Sequence, residues 1–446
     1  MSDQIHTARP LTVLRARGLG GRFKVPSERG LFCLAAMLAV LARGETVLYR
    51  EANATDGNLE ATRKLLVAIG AEPEFSDDRW QVNGLGPLGL LEPERRLDFT
   101  GATRALPLAM GLVAPYGFTT RFIGERSDTA APNRVVEALR SIGTEIETRG
   151  GRFPISVRGP RSAIPFAWPL AGEPAGKAAL LLAALSVPGV STLIESEPAP
   201  DHPERLFRHF GAAIGESESD SGPRTIEIAG LPALGARTLT LAGDPDIAAL
   251  AVVAGLIVPE SDILVENVML HPAHRAVFSA LEEMGGQIDI RNRRSAAGEE
   301  VADFRVRHSP LLGIAVPPDG LTSAALIVLA VAGAFAAGDT RLPRLGYAGE
   351  AVLQRRLAEG LANNGAAVSL GKTGLVVARP SAGGRLGGGT VSTGGDPLLT
   401  AAFMVFGLAA MEQVAIDDDT RMEAAYPGLT RQLETLGAEF LQGWAA

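Results

Sequence analysis

The chain has 446 residues, of which 46% are apolar, 21% are charged and only 5% are aromatic, while glycine occurs 52 times. This length exceeds one ordinary domain, and the composition is typical of a globular protein whose core is built from small aliphatic side chains. The net charge is −8, and the densest basic cluster is Arg291-Asn292-Arg293-Arg294, which we interpret as a solvated turn. A nucleic-acid partner is disfavoured, because a polyanion requires a basic face.

The sequence also argues against a membrane protein and against a disulfide framework. The opening decapeptide MSDQIHTARP lacks the apolar segment of a signal peptide, and the longest apolar runs are shorter than the ~18 residues of a membrane span. The single cysteine, Cys33, lies in an apolar run with nothing beside it to activate a thiolate. We expect a soluble cytoplasmic protein with Cys33 in its core, and we expect no cofactor.

Six apolar runs of about a dozen residues recur along the chain. Their length and their content of alanine and leucine favour helices, and a helix that is apolar all round must be buried on all sides. Most are followed by a turn and a short β-rich stretch, such as GETVLYRE or GVSTLIES. The runs are 31–42, 102–114, 176–185, 247–257, 323–337 and 398–411.

A second phrase, of the form apolar-x-x-apolar-Gly-small-x-apolar, also occurs six times, at intervals of 68 to 80 residues. Each copy predicts the end of an amphipathic helix, a glycine at its C-terminal cap and then a strand, because the cap usually requires a positive φ. The six glycines are Gly70, Gly143, Gly211, Gly285, Gly365 and Gly437. Three repeats can enclose three buried helices, so six repeats predict two α/β domains.

Three stretches carry a resemblance to a known family. They are AGKAALLLAALSVPGVSTLIESEPAPDHPERLFRHFGAAI (175–214), GDPDIAALAVVAGLIVPESDILVENVMLHPAHRAVFSALEEMGGQI (243–288) and AFMVFGLAAMEQVAIDDDTRMEAAYPGLTRQLETLGAEF (402–440). In register with the six repeats, they resemble the enolpyruvyl transferases, above all the 5-enolpyruvylshikimate-3-phosphate (EPSP) synthases.

The resemblance implies two inside-out α/β domains, each of three repeats wrapped around buried parallel helices. By analogy, residues 23–239 form one domain, and residues 1–22 with 240–446 form the other. It also implies a small-molecule substrate in a cleft between the domains. A protein partner remains an open alternative.

The resemblance further implies a cleft rich in lysine and arginine. The family transfers the carboxyvinyl group of phosphoenolpyruvate to a phosphorylated shikimate, so two phosphates and two carboxylates must be bound there. The Ser-Ser-Gln motif of the family falls on Glu173-Pro174-Ala175, and the aspartate usually assigned as general base falls on Ala324. The eight cationic positions fall on Arg29, Leu34, Ala105, Ala131, Gly349, Leu353, Leu398 and Ala424.

Only Arg29 keeps a positive charge among those eight positions. Removing one partner of a buried charge pair typically costs about 2–5 kcal/mol, so seven losses exceed the whole affinity of a small ligand. We therefore expect no ordinary synthase activity. The leading hypothesis is a divergent enzyme acting on a less anionic, shikimate-like or cyclic substrate. The alternatives are a non-catalytic protein that binds a metabolite or a protein, and an ordinary synthase whose motifs are displaced along the chain.

The resemblance indicates Glu350 as the catalytic residue, because the family uses an acid–base carboxylate at that position; a glutamate at an exposed helix start is the alternative. Substrate-binding candidates are Arg29, Arg104, which lies one residue from a lost arginine, Lys177 and His274. For Arg29 the alternative is a surface pair with Glu28, and for Lys177 a helix-start lysine that reaches water.

Three further polar positions have structural interpretations. Asp201 and Asp244 precede helices and are expected to cap them, and a role in the cleft is the alternative for each. The spacing of His271 and His274 suits one helical face, but the sequence offers no third ligand, so we expect no metal site.

Overall fold

The computed structural model describes residues 8–50, 56–125, 133–172, 174–217, 222–344, 350–379 and 384–443. The chain divides into two compact units. Unit 1 comprises Met1–Pro26, Gly243–Arg294 and Glu300–Ala446, and unit 2 comprises Ser27–Ala242 with Ser295–Glu299. The expectation that residues 23–239 form one domain and residues 1–22 with 240–446 form the other stays a prediction.

Helices in the described residues alternate between a buried type and an amphipathic type. They are α1 (Arg29–Leu41), α2 (Gly57–Ala68), α3 (Ala105–Val113), α4 (Asn133–Ser141), α5 (Pro174–Leu185), α6 (His202–Phe210), α7 (Pro245–Ile257), α8 (Arg275–Glu283), α9 (Ser323–Phe335), α10 (Glu350–Asn363), α11 (Pro397–Ala409), α12 (Met422–Ala425) and α13 (Leu429–Leu436).

Strands are short and follow the helices in a regular order. They are β1 (Leu11–Leu14), β2 (Gly20–Lys24), β3 (Arg43–Tyr49), β4 (Glu74–Phe75), β5 (Arg79–Leu85), β6 (Leu97–Asp98), β7 (Thr119–Ile123), β8 (Glu145–Arg149), β9 (Arg152–Arg158), β10 (Ala167–Ala171), β11 (Val190–Glu197), β12 (Ile214–Ser217), β13 (Arg224–Ala229), β14 (Thr238–Thr240), β15 (Asp262–Met269), β16 (Gln287–Ala296), β17 (Glu299–Arg307), β18 (Asp339–Pro343), β19 (Ala367–Gly371), β20 (Gly374–Ala378), β21 (Thr390–Val391), β22 (Val414–Ile416) and β23 (Glu439–Gln442).

The six predicted apolar helices are confirmed as α1, α3, α5, α7, α9 and α11. Every residue of α3 is buried, as expected for a helix enclosed on all sides. The helices approach closely through small residues: a Cβ added at Gly111 of α3 would lie 2.6 Å from the Cα of Ala179 in α5. This explains why the core contains so much alanine and glycine and so few aromatic residues.

The six predicted cap glycines are also confirmed. Gly70, Gly143, Gly211, Gly285, Gly365 and Gly437 all have positive φ, from 84° to 113°. Residues with a Cβ adopt this region only at a cost, so the chain can leave each amphipathic helix there and start the next strand without strain.

Six small sheets surround the buried helices, and together with the helices they confirm the predicted fold class. In five sheets the second strand pairs parallel with the first and antiparallel with the third. The sheet orders are β14-β3-β5-β4, β6-β7-β9-β8 and β10-β11-β13-β12 in unit 2, and β2-β15-β17-β16, β18-β20-β19 and β21-β22-β1-β23 in unit 1.

Distant segments close both units. In unit 2 the late strand β14 pairs with the early strand β3. In unit 1 the first strand of the chain, β1, lies between β22 and β23, and β2 pairs with β15. Three of the six sheets, β14-β3-β5-β4, β2-β15-β17-β16 and β21-β22-β1-β23, therefore have their full set of strands only when the two ends of their unit come together.

Three smaller expectations have clear outcomes. Cys33 is fully buried, and burial raises the pKa of its thiol to about 12, so it is an inert core residue. The basic cluster is not a turn: it lies in β16, where Arg293 and Arg294 pair with Glu300 and Asp303 of the neighbouring strand. Within the described part of the chain, every helix is too short or too polar to cross a bilayer.

Candidate functional site

Unit 2 has a polar cluster where α1, α2 and α3 begin, and we call it the α1–α3 cluster. Its members are Glu28, Arg29, Asp56, Asn58 and Arg104. Glu28 caps α1, because its Oε2 accepts a hydrogen bond from the backbone N–H of Leu31 at 2.7 Å. Burial opposes ionisation of Glu28, but Arg104, two backbone N–H groups and Arg29 outweigh it and lower the pKa of the carboxyl.

The predicted substrate-binding residue Arg29 is the first residue of α1. Its Nη1 lies 3.4 Å from Oδ2 of Asp56, and the two side chains are 15% and 2% exposed. Asp56 also caps α2 by accepting a hydrogen bond from the backbone N–H of Leu59 at 2.9 Å. The carboxylate of Asp56 thus both caps α2 and neutralises the guanidinium of Arg29.

The second predicted residue, Arg104, occupies the N-cap position of α3. Its side chain makes no capping bond; instead Oδ1 of Asn58 accepts hydrogen bonds from the backbone N–H groups of Arg104 and Ala105, at 2.9 and 3.1 Å. The guanidinium of Arg104 forms an ion pair with Glu28 and remains 47% exposed. The structure therefore brings Arg29 and Arg104 into one cluster, each beside a carboxylate that pairs with it.

Lys177, the third predicted residue, is fully buried in α5. Its Nζ donates to Oε1 of Glu204 at 2.8 Å and to the carbonyl oxygen of Ala199 at 3.0 Å, and it lies 3.1 Å from Oε1 of Glu195. The alternative that this lysine reaches water is wrong, because these oxygens enclose its ammonium. Binding of substrate by Lys177 stays a prediction, and the contacts it makes are those of a buried structural ion group.

Glu204 is the member of this buried group whose charge is compensated only in part. Burial raises the pKa of its carboxyl, and the charges of Lys177 and Arg224 offset the effect only in part. Its Oε2 has no hydrogen-bond partner among the described residues. Arg224 extends the network by pairing with Glu195 at 2.9 Å. A carboxylate in such surroundings is stable only while its cationic partner is present.

In unit 1, His274 lies at the end of a 3₁₀ turn, Pro272–His274, and at the start of α8. Its ring centroid is 6.1 Å from that of His271. His271 is buried and caps the turn, because its Nδ1 accepts the backbone N–H of Ala273 at 3.1 Å. The capping bond occupies one ring nitrogen of His271, so the two histidines do not present equivalent ligand atoms.

The predicted catalytic residue Glu350 is the first residue of α10. The structure describes its backbone but not its side chain. Three other segments that the resemblance singled out lie outside the described residues: Ala131-Pro132, Glu173 and Gly349.

Three other positions that the resemblance carries over hold buried apolar side chains. Leu34 is 2% exposed in α1, and Ala105 is fully buried at the start of α3. Ala324, at the position of the general base, is 6% exposed in the first turn of α9, which Thr322 caps by accepting the N–H of Ala325 at 3.0 Å. That turn presents a methyl group at the position where the resemblance implies a carboxylate.

The sequence interpretation missed two arginines in unit 1. A Cβ at Gly394 would overlap the guanidinium of Arg356, and a Cβ at Gly395 would lie 4.0 Å from Nε of Arg421. The two arginines therefore flank the Gly-Gly turn that precedes α11, whose N-cap is Asp396. These two arginines are not among the positions that the resemblance carries over, so the resemblance could not indicate them. The sequence feature that could have indicated this turn is Gly-Gly-Asp-Pro before an apolar helix.

The two expected aspartate caps have opposite outcomes. Asp244 caps α7, because its Oδ1 accepts the N–H groups of Asp246 and Ile247 at 3.0 and 3.4 Å. Asp201 occupies the N-cap position of α6 but makes no capping bond. Its Oδ2 accepts from Nε of Arg205 at 2.9 Å instead, so that prediction is wrong because an arginine one turn later competes for the carboxylate.

Comparison with known proteins gives a consistent result over nearly the whole chain. A family model described as EPSP synthase (3-phosphoshikimate 1-carboxyvinyltransferase) matches residues 15–433. The 3-phosphoshikimate 1-carboxyvinyltransferase of Chelativorans sp. (strain BNC1) is 39% identical over 442 residues, which cover 97% of this chain and 98% of the relative. The protein of the same name from Mesorhizobium japonicum is 38% identical over 447 residues, with the same two coverages.

Solved structures share the fold at lower identity. The EPSP synthase of Acinetobacter baumannii superposes with a TM-score of 0.87 at 23% identity, covering 98% of this chain and 100% of that chain. The enolpyruvyl transferase NikO of Streptomyces tendae superposes with a TM-score of 0.71 at 17% identity, covering 99% and 100%. At these identities the likeness concerns the fold.

Proposed function

The chain belongs to the EPSP synthase family, and from that premise we propose that it is a divergent member without ordinary EPSP synthase activity. Its ligand is a small, shikimate-like or cyclic molecule that carries less negative charge than shikimate 3-phosphate. The proposal rests on the α1–α3 cluster, in which Arg29 and Arg104 already have carboxylate partners.

The ion pairs of this cluster set the kind of ligand it favours. A phosphate dianion that binds Arg29 or Arg104 competes with Asp56 or Glu28 for the guanidinium group, and at Arg29, whose pair is buried, separating the charges costs about 2–5 kcal/mol. A neutral hydroxyl can instead donate to the carboxylates or accept from the guanidinium groups without separating either pair. The cluster thus favours hydroxyl-bearing ligands over phosphorylated ones.

Two further candidate residues enter the proposal. We assign the proton-transfer role to Glu350, the carboxylate that stands at the family's acid–base position, and a contact with the ligand to His274. While Glu195 and Glu204 enclose Lys177, its ammonium is not available to bind a ligand. We therefore assign Lys177 a structural role, in which its ion pairs connect α5 to β11 and α6.

A non-catalytic binding protein is the second candidate. The observation that favours it is the methyl group of Ala324 in the first turn of α9, because proton abstraction requires a base within hydrogen-bond reach of the substrate. On this second hypothesis, the protein binds a metabolite or another protein and catalyses no reaction.

An assay of phosphate release from shikimate 3-phosphate and phosphoenolpyruvate tests the loss of ordinary activity. The EPSP synthase of Acinetobacter baumannii serves as the positive control. We expect no release above the rate without protein. Turnover by this chain at a rate comparable to the control would refute the proposal.

Thermal-shift measurements with shikimate and other cyclic hydroxy acids test the ligand class. We expect at least one unphosphorylated compound to raise Tm, and Arg104→Gln to weaken that shift while Arg431→Gln, at an exposed position of α13, leaves it unchanged. A shift only with the phosphorylated compounds would contradict the proposed ligand. Consumption of the bound compound, followed by mass spectrometry with phosphoenolpyruvate present and absent, separates the enzyme from the binding protein.

A further inference from the structure

An arginine-rich cavity lies on the outer face of one sheet in unit 2. None of the residues that line it belongs to the α1–α3 cluster. The sheet is β6-β7-β9-β8, and the cavity has a volume of about 520 Å³. Arg96, Arg121, Arg149 and Arg158 line it together with Glu145 and Glu147. This volume lies within the range of about 300–1,000 Å³ that is typical of small-molecule sites.

Strand register places three of these arginines next to one another. Arg121 of β7 lies opposite Ser156 of β9, and Arg158 lies opposite Thr119 two positions away, so Arg121 and Arg158 are diagonal neighbours. Leu97 of β6 pairs in parallel with Phe122, which puts Arg96 beside Arg121 at the edge of the sheet. We call Arg96, Arg121 and Arg158 the arginine face.

The opposite side of the same strands anchors this arrangement. Phe122, Ile155 and Val157 are buried in the core of unit 2. Because side chains alternate along a strand, burial of these residues fixes the outward direction of Arg121, Ser156 and Arg158. The arginine face is thus presented by a packed sheet and not by a loop.

Carboxylates do not hold the guanidinium groups of the arginine face. Among the described residues, Arg96, Arg121 and Arg158 have no carboxylate within ion-pair distance, although Glu145 lies opposite Arg158 in the strand register. Some arginines on strands of unit 1 are paired in this way: Arg305 pairs with Asp262 at 2.6 Å, and Arg341 pairs with Asp339 at 2.8 Å. Neighbouring like charges on a sheet are destabilising, so a bound anion would relieve this repulsion.

We propose that the arginine face is a binding site for a phosphorylated, hydroxyl-bearing metabolite such as a sugar phosphate. Guanidinium groups match phosphate oxygens with two parallel hydrogen bonds, and the hydroxyls of Thr119 and Ser156 lie in the same rows as additional donors. Glu145 and Glu147 line the other side of the cavity, on β8. They accept hydrogen bonds from hydroxyl groups and repel a second phosphate, which selects a ligand charged at one end only.

Calorimetric titration at low ionic strength tests this proposal, with ribose 5-phosphate and inorganic pyrophosphate as probes. We expect ribose 5-phosphate to bind and Arg121→Gln to weaken its binding by about tenfold or more, which corresponds to about 1.4 kcal/mol. Glu147→Gln should weaken ribose 5-phosphate but strengthen pyrophosphate. Arg431→Gln, an exposed arginine of α13, is the matched control and should bind as the parent does.

Several results would overturn the assignment. These are the absence of binding at millimolar ribose 5-phosphate, equal losses in Arg121→Gln and Arg431→Gln, or tighter binding of pyrophosphate than of the sugar phosphate by the parent protein. Circular dichroism and Tm of each unliganded variant distinguish a lost contact from a lost fold. The outcome is independent of the hydroxyl-bearing ligand proposed for the α1–α3 cluster, since Arg104→Gln should leave ribose 5-phosphate binding unchanged.

Discussion

At the scale of single residues, two carboxylates in the α1–α3 cluster act both as helix caps and as counterions. Glu28 caps α1 and pairs with Arg104, and Asp56 caps α2 and pairs with Arg29. A cap is already oriented toward a helix N-terminus, so it can neutralise a nearby arginine without further ordering of its side chain. On the proposed function, this pairing also withdraws the two arginines from strong anion binding.

Replacement of Glu28 by glutamine should reveal both roles through its pH dependence. The folded protein lowers the pKa of this carboxyl below its ordinary value of 4.5, so its charge stabilises the fold above that pH and the contribution is lost as the pH falls. We expect Glu28→Gln to lower the free energy of unfolding by about 0.5–2 kcal/mol at neutral pH, with the difference shrinking under acidic conditions. Urea unfolding of the parent and of Glu28→Gln over a series of pH values measures this difference in the free energy of unfolding.

The matched control is Glu137→Gln, at an exposed position of α4 in the same unit. It should change stability little at any pH. A difference between the parent and Glu28→Gln that stays constant from neutral to acidic pH would contradict the ion-pair role of Glu28.

The sequence indicated Arg29 and Arg104 but not what they bind. Arg29 pairs with a residue 27 positions away, and Arg104 with one 76 positions away. Those partners meet only because α1, α2 and α3 pack together, and no local pattern encodes that packing. Likewise Lys177 was recognised as a helix-start lysine, whereas Glu195 and Glu204 were not recognised as its partners.

At the scale of elements, helices buried on all sides were the most predictable feature. Beyond its first turn, each is a run of apolar residues with no polar face, and no other described element has that composition. The cap glycines were equally predictable, because a positive φ is required at the same place, the end of the amphipathic helix, in every repeat. Strand order was not predictable in the same way, since β14 pairs with β3 across most of unit 2.

Two cap glycines of unit 1 make a matched pair for testing the backbone requirement. At Gly285, with φ of 91°, an added Cβ would have no neighbour closer than 3.9 Å. At Gly365, with φ of 84°, it would overlap the carbonyl oxygen of Arg385. We expect Gly285→Ala to cost about 1–2 kcal/mol from backbone strain alone, and Gly365→Ala to cost more.

Denaturant unfolding of the two alanine variants measures this difference. Equal losses of stability would mean that the overlap with the Arg385 carbonyl is relieved by a small shift of the backbone. A larger loss at Gly285 would contradict the account of these caps.

At the scale of the whole molecule, the chain comprises two compact units built from the same repeat. Each has three buried helices and three sheets, and each requires its two ends to pair before its sheets are complete. Such units have their own hydrophobic cores, which is the condition for independent folding.

Scanning calorimetry should therefore resolve two transitions, one for each unit. We expect Lys177→Ala to lower only the transition of unit 2, because it leaves Glu195 and Glu204 buried without their cation at a cost of about 3–5 kcal/mol. Phe403→Ala, in the core of unit 1, should lower only the other transition by a similar amount. One transition that both variants lower would contradict the division into independent domains.

The most direct test of the central claim is a calorimetric titration of shikimate 3-phosphate into the protein in the presence of phosphoenolpyruvate. With their guanidinium groups held by Asp56 and Glu28, Arg29 and Arg104 should give no saturable heat even at millimolar ligand. Saturation at micromolar shikimate 3-phosphate, tighter with phosphoenolpyruvate than without it, would contradict the account and identify an ordinary EPSP synthase.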